Sequence, residues 1–198
     1  MHVLQEYTKQ TIVEKSKFIC YIMPCNSEEE YKNNLALLKK KYFDASHVCS
    51  AFISDNYKKS SDDGEPSGTA GIPILNSLEK NKMNNVAAFV VRYFGGIKLG
   101  VGGLNRAYGN IVSECIKMCE LYETKQLKKY RIEIPYNMSK DLCNFLKNNS
   151  QLISVKYEEN VIYEFAIEND LLINNILSIT KGITPKFLGI EKVDKVVK

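Results

Sequence analysis

Nine consecutive residues, Val86–Phe94, read VAAFVVRYF, and Arg92 is the single charged residue among them. A strand with one wet face alternates apolar and polar side chains, and this one does not. It reads as a buried strand, central in its sheet. The chain leaves it through GGIKLGVGG, so a tightly packed strand runs straight into a stretch that is more than half glycine.

Nine of the 11 glycines fall between Gly64 and Gly109. They make two groups, Gly64/Gly68/Gly71 and Gly95/Gly96/Gly100/Gly102/Gly103. Glycine serves where the backbone needs positive φ or must be approached closely, so the groups mark two special loops. The second lies between the buried strand and a helix, whose free amides would attract an anion such as phosphate. Arg92 and Arg106, two of only three arginines, bracket it in a chain that otherwise uses lysine. A guanidinium suits phosphate, carboxylate or base stacking. Alternatively, the arginines pair with Asp62, Asp63 or Glu65 and staple the two loops.

The first loop, SDDGEPSGTAG at 61–71, raises catalytic options. Asp62, Asp63 and Glu65 are oxygen ligands suited to Mg²⁺, and each is a candidate general base. Ser67 and Thr69 are nucleophiles only with a base nearby, and His47 is the one internal histidine. His47 reads as an ordinary structural histidine. A phosphate-binding P-loop fits Gly95 and Gly100 by spacing, but Val101 and Gly102 stand where Lys and a hydroxyl belong. A dinucleotide fingerprint fits Gly100 and Gly102 and fails at Asn105.

Along the rest of the chain, Tyr7–Val13 and Lys17–Met23 read as a hairpin or bent strand pair. SEEEYKNNLALLKKKYF reads as a helix with a Ser27/Glu30 capping box and a stripe of Tyr31, Leu35 and Leu38. Its acids open it and Lys39–Lys41 close it, so the lysine run is a helix end rather than a nucleic-acid patch. His47–Ser54 is a strand, Asp55–Gly71 a loop and Pro73–Met83 a short helix. Leu104–Leu121 is a helix with Leu104, Ala107, Ile111, Cys115 and Met118 on one side. The polar stretch Leu121–Lys129 holds a domain boundary, giving domains 1–124 and 125–198. Beyond it come a strand (RIEIPY), a helix capped by Ser139, two strands, a helix and a last strand. That order, βαββαβ, is the ferredoxin-like split βαβ arrangement.

Net charge is +4, with 16 basic against 14 acidic residues up to Lys125 and 11 against 9 beyond. Neither half is a basic arm, so nucleic-acid binding must come from a local patch. The six cysteines form no C-x-x-C pair and read as small buried hydrophobes, reduced in the cytoplasm. No apolar run is long enough to span a membrane, and MHVLQEYTKQ lacks a signal-peptide layout.

KSKF (Lys15–Phe18), DASHVCSAF (Asp44–Phe52), SDDGEPSGTAGIPIL (Ser61–Leu75) and VVRYFGGIKLGVGGLNRAYG (Val90–Gly109) together resemble the bacterial YigZ branch of the IMPACT family. The resemblance implies an α+β fold of two domains. The first is like the second domain of ribosomal protein S5, and the second is like the ferredoxin-like domain V of elongation factor G. Eukaryotic members of that family are translation regulators acting on a starvation-kinase pathway that bacteria lack. Small-molecule kinases of the same superfamily use paired serines that Gly100–Leu104 does not have.

The leading expectation is a non-enzymatic cytoplasmic protein that binds RNA or the ribosome and bears on translation. Arg92, Lys98 and Arg106 would contact phosphates with help from loop amides, and Tyr93 or Tyr108 would stack on a base. The candidate surface is therefore Asp62–Glu65, Ser67–Thr69, Arg92, Tyr93, Gly95, Gly96, Lys98, Gly100, Gly102, Gly103, Arg106 and Tyr108. Two alternatives stand beside it: a module that binds a translation factor, and a metal-dependent small-molecule hydrolase built on the acidic loop. No cofactor or resident metal is expected, nor a membrane partner, and a monomer is favoured.

Overall fold

A computed structural model describes residues 1–55 and 57–197. The chain divides into two compact units, one of Met1–Glu123 joined by the last residues from Val196, the other of Thr124–Lys195.

In the first unit, β1 (Tyr7–Val13), β2 (Ser16–Pro24), β3 (His47–Ser54), β4 (Tyr57–Ser61) and β5 (Val86–Tyr93) form one sheet in the order β1-β2-β5-β3-β4. All four pairings are antiparallel. The apolar strand β5 is central, as its composition requires. Its side chains alternate between two cores. Val86, Ala88 and Val90 pack with α2 (Gly71–Lys80) and α3 (Gly100–Met118). Ala87, Phe89 and Val91 pack with α1 (Glu28–Lys41) on the opposite face. Tyr31 pins α1 to the sheet. Its ring stacks 5.6 Å from both Phe52 and Phe89, and its hydroxyl meets Ser50 Oγ at 2.7 Å. Each such aromatic pair contributes about 0.5–1.5 kcal/mol beyond its buried area.

The second unit follows as β6 (Tyr122–Ile134), α4 (Tyr136–Asn149), β7 (Gln151–Tyr157), β8 (Val161–Ile167), α5 (Leu171–Ile179) and β9 (Lys186–Val196). Its sheet order, β7-β8-β6-β9, is that of the split βαβ arrangement. Ile132, Ile134, Tyr163, Phe165 and Ile176 form its core with Leu142 and Leu146. The protein is thus α+β, in two units.

Several local expectations change. Tyr57–Ser61 lies in the supposed loop yet pairs with β3, because an edge strand facing solvent needs no apolar alternation. Ser27 Oγ accepts from Glu30 N, but Glu30 reaches back to Asn26 N at 2.6 Å rather than to Ser27, so the capping box is shifted by one residue. Helix α3 starts at Gly100, not Leu104, and Met118 at its end is exposed. Strand β6 begins within the polar stretch, where Thr124 Oγ1 donates to Asp194. Pro135, not Ser139, is the N-cap of α4, and Ser139 instead bonds the Tyr163 hydroxyl. Five of the six cysteines are buried, and Cys143 is half-buried. Among the described residues no helix is long and apolar enough to cross a membrane.

Candidate functional site

The four motifs noted in the sequence converge at one end of the first unit's sheet. Residues opposite one another on adjacent strands share a face. The register sets Arg92 beside Phe18 on one side and His47 on the other. Alternation along β5 then sends Arg92 to the face covered by α3, and Tyr93 to the face covered by α1.

Arg92 is 5% exposed. Its Nη1 donates to Glu65 Oε1 at 2.5 Å, and Nη2 lies 3.4 Å from Ser16 Oγ. The guanidinium sits 5.5 Å from the rings of both Phe18 and Phe94. Glu65 Oε1 also accepts from the Tyr108 hydroxyl at 2.8 Å. Burial, with Cys49 and Glu65 beside it, holds that phenol protonated far above its usual range, so it remains a donor. Glu65 Oε2 faces His47 Nε2 at 3.9 Å, too far for a hydrogen bond. His47 Nδ1 donates to the Asp63 carbonyl at 2.9 Å.

The acids of 61–71 are taken up in holding the loops. Asp62 accepts from Gly68 N, Ala70 N and Gly71 N at 2.8–3.0 Å, and so caps α2, whose N-cap Ala70 has no side-chain acceptor. Asp63 accepts from Val48 N at 2.7 Å and Lys39 Nζ at 2.5 Å. Thr69 Oγ1 donates to the Pro66 carbonyl, while Ser67 is exposed on the loop. Cys49, between Asp62 O and Tyr108, is pushed up to about 12 chiefly by burial and is no nucleophile.

Partial burial works against the Asp62 carboxylate, but its three amides prevail and hold its pKa below the ordinary 3.8. A depressed carboxylate stabilises the fold above its unfolded value, and that contribution is lost as pH falls through the folded value. Asp62→Asn should therefore cost about 0.5–2 kcal/mol at neutral pH, as a lost helix cap does. It should also flatten the parent's loss of stability in acid, where carboxylates below 3.8 titrate. Urea midpoints at neutral and acid pH check both; an unchanged midpoint at neutral pH would contradict the capping role.

The second glycine loop encloses two clefts. One, of about 460 Å³, lies between His47, Glu65 and Arg92 on its floor and Phe94, Val101 and Leu104 on its walls. The other, of about 540 Å³, takes in Thr11, Glu14, Arg106, Asn110 and Glu114. Lys98 and Leu99 line both. No side chain caps α3, and no acid lies in its first turn. Its positive end therefore opens at these clefts. Arg106 is exposed and folds back over Gly102, its Nη1 3.5 Å from where a β-carbon would sit. Gly96, Gly100, Gly102 and Lys98 are exposed, and Gly103 packs on Leu99. Gly95 packs on the Lys15–Ser16 backbone and donates to Ser16 Oγ at 3.2 Å.

Two expected stacking residues are therefore out of reach. Tyr108 is fully buried on the inner face of α3. Tyr93 lies on the opposite face with its hydroxyl on Asp44, 2.8 Å away. Arg92 is likewise a buried brace to Glu65 rather than a surface contact. Phe94, 48% exposed, is the aromatic at the cleft mouth. It went unread in the sequence with Leu99 and Val101, while His47, read there as an ordinary structural histidine, also lines the cleft.

This is a two-unit α+β chain whose first unit carries its motif residues at one open end, and that class has a family. The Impact N-terminal domain matches residues 14–116. The chain is 39% identical over 163 residues to the IMPACT family member YvyE of Bacillus subtilis, covering 80% of this chain and 75% of that one. It is 31% identical over 161 residues to YigZ of Escherichia coli, covering 78% and 79%. A crystal structure of a hypothetical protein, 28% identical, superposes with a TM-score of 0.58 over 96% of both chains. The chain belongs to the IMPACT family.

Proposed function

We propose that this chain is a non-enzymatic, cytoplasmic regulator of translation that binds single-stranded RNA across the two clefts. The observation that carries the reading is the composition of that surface. An exposed aromatic, Phe94, stands beside an uncapped helix start, with the exposed cations Lys98 and Arg106 along the path. Stacking platforms beside cationic grooves bind single strands with little sequence preference. Lys98, Arg106 and the first amides of α3 hold phosphates, and Phe94 holds a base. Membership of the IMPACT family adds the link to translation. A hydrolase reading loses ground because Asp62, Asp63 and Glu65 are engaged by amides or cations.

The second reading is a translation factor as partner, favoured by Phe94, Ile97 and Val101, which are exposed together at the same loop. Fluorescence anisotropy with a labelled single-stranded RNA separates the two. Binding that falls by about 1–3 kcal/mol in Phe94→Ala supports RNA. An absence of binding at low salt, with a protein partner retained after nuclease treatment, would overturn it in favour of the second.

A further inference from the structure

The floor of the smaller cleft is chemically distinct from its rim. Glu65 is 7% exposed, and its Oε1 is spent on Arg92 and Tyr108. Among the described residues Oε2 takes no hydrogen bond and meets only His47 Nε2, at 3.9 Å. His47 Nδ1 donates to Asp63 O, and in the neutral tautomer that makes this bond Nε2 is an acceptor. Two acceptors thus face the cleft. Arg92 pins the carboxylate charge from behind, while Phe94, Leu99, Val101 and Leu104 wall the space with apolar surface. A cleft of about 460 Å³ falls in the range of roughly 300–1,000 Å³ typical of small-ligand pockets.

We propose that this cleft takes one unstacked nucleobase of the bound RNA and selects one whose edge carries an exocyclic amine. The amine donates to Glu65 Oε2 and His47 Nε2, and the ring lies between Phe94 and Val101. The attached phosphate passes over Lys98 towards Arg106. Adenine and cytosine bring N–H donors to this floor. Uracil has no exocyclic amine: its single donor, N3–H, is recessed between two carbonyl oxygens, which would be brought against the carboxylate and the imidazole nitrogen. The inference rests on the RNA reading and adds a base preference to it.

The test compares single-stranded oligomers of adenylate, cytidylate and uridylate of equal length at one salt concentration. Adenylate and cytidylate oligomers should bind about tenfold more tightly than uridylate, as expected for one charge-assisted hydrogen bond. Converting adenine to N6,N6-dimethyladenine removes the donors without touching the protein, and should lose about the same tenfold. Glu65→Gln should narrow the gap between oligomers; should that variant fail to fold, the dimethyl substitution decides alone. Equal affinity for all the oligomers would overturn the base preference and leave RNA binding standing. No binding to any of them at low salt would overturn RNA binding itself. Adenosine monophosphate binding as tightly as the adenylate oligomer would assign the cleft to a free nucleotide and overturn the proposal as stated.

Discussion

Arg92→Ala is expected to destabilise the first unit by about 3–5 kcal/mol, the range for breaking one side of a buried ion pair. The Arg92 and Glu65 side chains are 6% and 3% exposed and meet at 2.5 Å. Removing the guanidinium leaves the carboxylate buried with the Tyr108 hydroxyl alone on Oε1, and it empties the space between the rings of Phe18 and Phe94. Lysine does not restore the arrangement, because a point charge cannot fork between Glu65 and Ser16 while also lying against the rings of Phe18 and Phe94. Arg92→Met combined with Glu65→Leu should recover part of the loss, since an apolar pair leaves no charge unpaired. Urea unfolding of the three variants decides this. A loss under about 1 kcal/mol in Arg92→Ala would show that the pair is not the brace described. The same result bears on ligand binding, because a weakened complex with Arg92→Ala would report instability rather than a lost phosphate contact.

Gly95→Ala is expected to be at least as damaging, through sterics alone. A β-carbon there would lie 2.0 Å from the Lys15 carbonyl carbon, 2.1 Å from its oxygen and 2.4 Å from Ser16 N. These are backbone atoms, so no rotamer change relieves the clash. The end of β5 would have to part from the start of β2, breaking the Gly95 N to Ser16 Oγ bond that also positions Arg92. Ordinary overpacking costs about 1–3 kcal/mol, and an immovable neighbour puts this change at or beyond the top of that range. Gly102→Ala is the control. It lies in α3, where alanine gains up to about 1 kcal/mol of helix propensity over glycine. Its nearest neighbour is the flexible end of Arg106 at 3.5 Å. Thermal unfolding should show Gly95→Ala far below the parent and Gly102→Ala at or above it. Equal midpoints for the two would contradict the close-packing account.

The central strand was legible because burial on both faces writes itself into composition. So was the tie between the two glycine loops, since Glu65 and Arg92 were among the pairs considered. The aromatic at the cleft was not found, although part of the signal was present. Strand alternation from Val90 through Arg92 already sends Tyr93 away from the Arg92 face. The spacing Leu104, Tyr108, Ile111, Cys115 already puts Tyr108 on the buried side of α3. His47 was harder. Its place in the cleft depends on the register of β3 against β5, which long-range pairing sets and local pattern does not. Strand β4 and the early start of α3 were hidden for opposite reasons: a solvent-facing edge lacks apolar alternation, and glycines in a first helical turn depress the helix signal.

The salt dependence of RNA binding tests the central claim most directly. A single-stranded oligomer should bind the parent with an affinity that falls as salt rises, because phosphate contacts release counterions. Replacing Lys98 and Arg106 together by alanine should lower the slope of log affinity against log salt by about 1.4, roughly 0.7 for each lost contact. The fold should be unchanged, since both side chains are exposed. A parent that binds with the same slope as the double variant, or that fails to bind at low salt, would contradict the assignment of this surface to RNA.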